Sequence, residues 1–424
     1  MRDDAGAAGL AFSGGGIIAL LASMCQLQAL QQIVPNITAF EIGATSGGIT
    51  GAVLMASTNS GSGLTFPKSW SPSSYGANAS TLLAQKLRNG SAPWFAAATD
   101  VLEPLAARRD RSDRWLSDWW QTVLGAIARL YDLSPSDLRG YPTLSATTSL
   151  LRKSAAPLKR DSSNVLINAS HDLIPAIWRP AEATLTPMGS GSANGPGPQP
   201  SPSTIRAVSD ATPFWAASLL ESASLDKLLG GLIPSLPPPN DGYLLLDGGT
   251  ADTTAITALL RRGVTRVVAF YDSQKPLYDA SAAFCFLFGV PNTTTNLGMW
   301  EGPQLAHVFP TSLWGDVHAN LTNPELRSAR LDNVDVLPNA YLGVEGGYQL
   351  STLLIIATQR SEAFLREFDA VDPRVRQGLH PGWPEAMPLP GMTPLDANTL
   401  CIFSGWEVMR AREQIQSLFG VAPS

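Results

Sequence analysis

The sequence predicts an α/β fold: a three-layer sandwich with a mainly parallel central sheet flanked by helices, interrupted by a largely helical and irregular insertion. Three observations predict it. Residues 8 to 56 alternate apolar strand and apolar helix, as AGLAF, IIALLASMCQLQALQQI, FEIGAT and ITGAVLMAS. Residues 242 to 271 repeat the alternation as YLLL, ADTTAITALLRR and VTRVVAFYD. Glycines stand where strand gives way to helix, in SGGG, SGG and DGG. Such alternation belongs to parallel sheets with crossover helices.

Each element follows from local chemistry. AGLAF is a short apolar strand stopped by Ser13-Gly14-Gly15-Gly16. The run from Ile17 to Val34 is broken by Gln26, Gln28, Gln31 and Gln32. It therefore reads as an amphipathic core helix and falls short of the roughly 18 continuous apolar residues that a membrane span needs. FEIGAT is the next strand, Ser46-Gly47-Gly48 the turn, and ITGAVLMAS a second helix. An insertion then runs from about 61 to 239, turn-rich around 69 to 80. Within it Trp115, Trp119, Val123, Ile127 and Leu130 fall near helical spacing, which fits either a core helix or an apolar face for lipid. The Pro/Gly/Ser stretch from 180 to 202 has no periodicity and reads as a mobile surface segment. YQLSTLLIIATQRSEAFLREFDAVD reads as one long amphipathic helix, and WEVMRAREQIQSLFG as a terminal helix closed by Gly420. The expected organisation is a single domain over 1–424, with its α/β core at about 8–60 and 240–424 and the insertion as a candidate lid.

Composition narrows the partners. The 424 residues carry a net charge of −6, with 44% hydrophobic and only 15% charged residues. No broad basic surface for nucleic acid is expected, and apolar surface kept for a ligand such as lipid is. Cys25, Cys285 and Cys401 are odd in number, with neither CxxC nor metal-ligand spacing, so buried free thiols and no metal are expected. Glycosylation sequons at Asn36, Asn78, Asn89, Asn168, Asn292 and Asn320 carry little weight in a chain so rich in Ser and Thr. The start, MRDDAGAAGLAF, has acidic residues where a signal peptide needs basic ones, so secretion is not indicated. A cytoplasmic or peripheral-membrane location is expected.

Ser46 is the residue around which the chemistry turns. A serine between strand and helix can cap the helix, bind phosphate or act as a nucleophile. A nucleophile needs a base for its proton and donors for the oxyanion, and a tight turn with small neighbours lifts Oγ toward both. Gly43, Ala44, Gly47 and Gly48 are small enough, although Ala44 stands where the G-x-S-x-G elbow has its first glycine. SGGG lacks the G-K-[ST] of a P-loop and the G-x-G-x-x-G of a dinucleotide site, and suits an oxyanion hole better. His171, His307, His318 and His380 lie in no strand-end motif. Asp247 ends an apolar strand before Gly248-Gly249. Alone it is a turn residue; at the carboxyl edge of a sheet it can meet Ser46.

SGGG at 13 to 16, SGG at 46 to 48 and LLDGG, in that order, resemble the patatin-like and group IV cytosolic phospholipase A2/phospholipase B superfamily. The resemblance covers residues 8 to 56 and 240 to 273. It implies a patatin-like fold with a Ser-Asp dyad, in which Ser46 is the nucleophile, Asp247 the general base, and the Gly14, Gly15 and Gly47 amides the oxyanion donors. It implies a serine-dependent hydrolase cleaving fatty-acyl esters of phospholipids or lysophospholipids through an acyl-enzyme, with peripheral membrane contact and no cofactor or metal. With only a few residues before the first strand, the group IV calcium-binding membrane module is not expected. Two departures stand out. Ile18 aligns with the arginine that meets the headgroup phosphate, and Thr254, Ala255 and Ile256 with the Asn-Ile-Pro after DGG. Ile18 and Ala44 motivate the alternative of a catalytically weak lipid-binding homologue, and the missing arginine that of a soluble-ester hydrolase; an alcohol in place of water would make an acyltransferase on the same fold.

Overall fold

The computed structural model describes residues 8–34, 40–49, 51–52, 144–152, 173–179, 184–187, 199–200, 243–250, 252–272, 283–290, 306–371, 373–384 and 393–421. Their strands are β1 (Ala8–Phe12), β2 (Glu41–Thr45), β3 (Leu144–Arg152), β4 (Leu173–Arg179), β5 (Thr184–Pro187), β6 (Gln199–Pro200), β7 (Tyr243–Asp247), β8 (Arg266–Tyr271), β9 (Ser328–Val336) and β10 (Tyr348–Ala357). Their helices are α1 (Gly16–Ile33), α2 (Ile256–Leu260), α3 (Trp314–Thr322), α4 (Glu362–Val371), α5 (Pro373–Gly378), α6 (Pro394–Arg410) and α7 (Arg412–Phe419). A further short helix covers 47–49 and 51–52.

The strands form one sheet in the order β6-β5-β4-β3-β2-β1-β8-β10-β9, with β7 also paired to β3. Its centre, β3-β2-β1-β8-β10, is parallel. Every other pairing is antiparallel, so the sheet is mixed rather than mainly parallel. Successive side chains of a strand point to opposite faces, and the core divides accordingly. Leu10, Phe12, Val268, Phe270, Leu354 and Ile356 pack on one face with α1, α4, α6 and α7. Ala11, Val267, Ala269, Tyr271, Leu353 and Ile355 pack on the other with α2, α3 and the 3₁₀ turn at Ala283–Phe288. Helices thus cover both faces of the central sheet.

Several expectations are corrected. The described part of the insertion is strand rather than helix: β3 sits beside β2 inside the sheet, so the sheet is not confined to 8–60 and 240–424. Residues 184–187 and 199–200, within the stretch read as mobile, form β5 and β6 at the sheet margin, where proline is tolerated. The long helix read at 348 to 372 is instead β10 followed by α4. Leu350, Leu353, Leu354, Ile355 and Ile356 lie on both faces of a central strand, a pattern that a short apolar run shares with a buried helix. β7 is antiparallel to β3 and does not neighbour β8, so residues 242 to 271 are no simple crossover unit. α1 is buried almost all round, including Gln26, with its more accessible edge at Gln28, Gln31 and Gln32. The terminal helix is two, α6 and α7, and Gly420 closes the second in the left-handed conformation. The segments at 69 to 80 and around Trp115 to Leu130 lie outside the described residues.

The cysteines differ from expectation as well. Cys25 of α1 and Cys401 of α6 form a disulfide across 376 residues of sequence, and Cys285 is a buried thiol outside any disulfide. The bond joins two helices that already pack in one hydrophobic cluster. α6 is set independently by a capping box, in which Thr393 and Asp396 exchange hydrogen bonds and Asp396 also accepts from the His380 N–H.

A cross-link closing so long a loop restricts the unfolded chain most, so it is expected to contribute about 2–5 kcal/mol. Denaturant unfolding with and without reductant should show that loss in the wild type and none in Cys25→Ser/Cys401→Ser. Thiol titration of the unreduced, denatured protein should find Cys285 alone reactive.

Candidate active site

The site is built where strands end. β2 runs parallel to the first half of β3, with Thr45 opposite Thr147. β7 runs antiparallel along the second half, with Asp247 opposite Thr148. β4 pairs with the same stretch of β3, so β7 must use the edge that β2 uses. β2 and β7 therefore approach head-on along one edge, with Thr45 and Asp247 opposite adjacent residues of β3. Asp247 was expected at the end of a parallel strand; β7 instead runs antiparallel to β3, toward the end of β2.

Two glycines permit the approach. A Cβ on Gly248 would lie 1.9 Å from the Thr147 carbonyl oxygen and 2.7 Å from Thr45 Oγ1. A Cβ on Gly47 would lie 2.0 Å from the Gly16 carbonyl oxygen, so the helix after Ser46 starts against the SGGG loop. Ser46 itself has φ 49°, in the left-handed region that a non-glycine residue enters at a cost of about 1–3 kcal/mol. That conformation turns the chain sharply from β2 into the helix. Ser46 is 6% exposed.

The SGGG loop lies over the serine. Gly15 and Gly16 have φ 154° and 60°, and a Cβ on Gly14 would sit 3.1 Å from Ser46 Cβ. The Gly14 N–H, expected to be an oxyanion donor, donates to the Thr253 carbonyl at 2.7 Å. Gly15 and Gly47 flank the same junction. Beneath the loop Phe12 and Phe270 stack at 5.2 Å, and the Ser13 N–H donates to the Phe270 carbonyl at 3.0 Å.

The sequence reading missed Asp252. It is buried and collects four hydrogen bonds: Oδ1 accepts from Thr254 N–H and Oγ1 at 2.8 and 2.6 Å, and Oδ2 from Thr257 N–H and Oγ1 at 3.0 and 2.5 Å. The Asp252 N–H donates to the Gly248 carbonyl at 2.9 Å, and the Thr253 hydroxyl to that of Gly249 at 3.1 Å. One carboxylate thus shapes the turn after Asp247, caps α2, and presents Thr253 to Gly14. The signal was D-x-T with a second threonine five residues on, a local side-chain-to-backbone pattern.

Ile18, which aligns with the headgroup arginine, is fully buried in the core cluster on α1. The described histidines have their own local partners: His307 Nε2 contacts the Phe309 carbonyl, His318 packs on Trp314, and His380 Nδ1 accepts from the Gly382 N–H. His171 lies outside the described residues. Among the described residues no group of His, Cys, Asp and Glu could hold a metal ion, and no helix is long and apolar enough to cross a membrane.

No family profile and no curated protein matches the chain. Its structure is similar to that of human GIVD cytosolic phospholipase A2, at 12% identity and a TM-score of 0.49, covering 99% of this chain and 63% of that one. The same human protein in complex with methyl gamma-linolenyl fluorophosphonate and terbium chloride gives 13% identity and a TM-score of 0.40. Its complex with methyl gamma-linolenyl fluorophosphonate gives 13% and 0.39. In both complexes 99% of this chain and 60% of that chain are covered. The chain spans less than two thirds of those proteins.

Gly47→Ala and Gly248→Ala each push a Cβ into backbone, and should lower stability by about 3 kcal/mol or more, or abolish folding. At Gly315 of α3 nothing lies within 4 Å of an added Cβ. Gly315→Ala should leave stability unchanged or raise it by about 0.5–1 kcal/mol, as helix propensity favours alanine. Chemical denaturation of the three variants checks the contrast.

Proposed function

We propose that the chain is a serine-dependent lipid acyl hydrolase that cleaves fatty-acyl esters of phospholipids or lysophospholipids. The observation that carries this reading is the head-on meeting of β2 and β7 on one edge of β3, with a left-handed serine at the end of one and an aspartate at the end of the other. A helix cap needs no such second strand. In the proposed reaction the Asp247 carboxylate takes the Ser46 hydroxyl proton as Oγ bonds to the ester carbonyl carbon. Charge gathers on the carbonyl oxygen, where the Gly15 and Gly47 N–H groups receive it. Gly14 can join them only by releasing Thr253. The C–O bond breaks, the proton passes to the departing alcohol, and a fatty-acyl serine remains. Water, deprotonated by Asp247, then bonds to the acyl carbon, the acyl–Oγ bond breaks, and Asp247 returns the proton to Ser46 Oγ as the fatty acid leaves; an alcohol in place of water would make the reaction a transfer.

The substrate class rests on the sequence resemblance and on the composition. The buried Ile18 gives no charged partner for a headgroup phosphate, which fits recognition through the acyl chain. Contact with a membrane surface would deliver such a substrate. The Cys25–Cys401 bond favours an oxidising compartment over the cytoplasm as the place of action.

Incubation with a long-chain fluorophosphonate followed by mass spectrometry tests the reading. An adduct on Ser46, absent in Ser46→Ala and lost in Asp247→Asn, is expected, with fatty-acid release from phospholipid vesicles lowered about 10⁴-fold or more in Ser46→Ala. Vesicle binding without adduct or release would instead identify a non-catalytic lipid binder. Hydrolysis of monomeric short-chain esters only would identify a soluble-ester hydrolase.

A further inference from the structure

A buried polar chain runs from the SGGG loop into the helical layer. Ser13 Oγ accepts the main-chain N–H of Asp272 at 2.7 Å and donates to the Gly14 carbonyl at 2.9 Å. Gln26 of α1 donates from Nε2 to Asp272 Oδ1 at 2.8 Å and to Thr358 Oγ1 at 3.0 Å. Thr358 in turn donates to Glu407 Oε2 of α6 at 3.1 Å. All five side chains are buried. The chain touches the end of β8, the residue after β10, and the two helices that the disulfide joins.

We infer that Asp272 is a positioning residue for the SGGG loop: its main chain holds Ser13, and its carboxyl, gripped by Gln26 and backed through Thr358 by Glu407, ties that main chain to α1 and α6. The inference rests on reading the loop as the oxyanion site of Ser46. Side-chain bookkeeping explains why two acids serve here. Gln26 Oε1, Asp272 Oδ2 and Glu407 Oε1 are buried acceptors without a partner among the described residues. Amide oxygens and carboxylates cannot satisfy one another, but a protonated carboxyl brings its own donor. Burial raises Asp272 to about 7. Burial first, then the Asp272 charge, pushes Glu407 well above the usual carboxylate range, opposed by Thr358, Arg327 and Arg410. The charged groups acting on the pair are thus Arg327, just before β9, and Arg410 of α6; Ser13, Gln26 and Thr358 are neutral. Between the ordinary carboxylate range and pH 7 the folded protein holds more protons here than the unfolded chain, so this group's contribution to stability falls as pH rises through that window.

The test compares wild type, Asp272→Asn, Asp272→Ala and Ser13→Ala in the full chain. Readouts are hydrogen exchange of the Gly14–Gly16 amides and the rate of Ser46 labelling by long-chain fluorophosphonate from pH 6 to 9. Asp272→Asn keeps the acceptor for Gln26 and adds a neutral donor. It should match wild type at pH 6 and hold its labelling rate where wild type declines as pH rises through about 7. Asp272→Ala should exchange the loop amides faster and label about 10²-fold more slowly, the scale of a misplaced reacting group. If it does not fold, Ser13→Ala should show the same two changes with the acids intact. Unchanged loop exchange in both variants overturns the inference, as does damage in Asp272→Asn equal to that in Asp272→Ala. Altered exchange with no Ser46 labelling in wild type would keep the positioning of the loop and overturn the hydrolase reading instead.

Discussion

One edge of β3 carries two strands that point at each other, and the candidate site depends on that constraint. Hydrogen bonding to β3 fixes the ends of both β2 and β7 to adjacent residues, Thr147 and Thr148. Neither strand can lengthen without displacing the other. The chain must leave the sheet at Thr45 and at Asp247, and it leaves through Ser46 in a left-handed conformation and through Gly248 in a space that no side chain could share. Sheet register thus sets where both strands end.

The surrounding interactions serve that junction. The SGGG loop is held from three sides: by Phe270 through Ser13, by Thr253 through Gly14, and by the serine helix at Gly16. Asp252 organises the second of these contacts, and the Asp272 chain reinforces the first. Farther out, Arg262 pairs with Glu41 at 2.6 Å, tying the end of α2 to the start of β2. Hydrophobic layers on both faces hold the sheet that carries all of these groups.

Much of this was legible in the sequence where local pattern decides structure. β1, α1 and β2 emerge as read because apolar runs of the right length are punctuated by glycine. The same rule fails at β10, where Leu353 to Ile356 satisfy helical and buried-strand patterns equally and only the place beside β8 selects the strand. β3 was invisible for a related reason: LSATTSLLR is half polar, and its value lies in the strands it joins. The disulfide could not be read at all, since Cys25 and Cys401 are 376 residues apart with nothing in their spacing to link them. Ser46 and Asp247 were singled out by glycine context. That β2 and β7 share one edge of β3 from opposite directions is a tertiary property. Gly14 was assigned to the oxyanion by loop type, whereas its N–H has the Thr253 carbonyl as partner.

If the β2–β7 junction activates Ser46 for acyl transfer, Ser46 carries the acyl group during turnover. Rapid mixing with a p-nitrophenyl ester of a long-chain fatty acid tests it most directly, because an acyl-enzyme releases its first equivalent of p-nitrophenol before water attack limits turnover. A burst of about one equivalent per protein is expected, with the acyl group recovered on Ser46 and no burst in Asp247→Asn. Linear release without a burst, with no acyl group on Ser46 at any time, would contradict it.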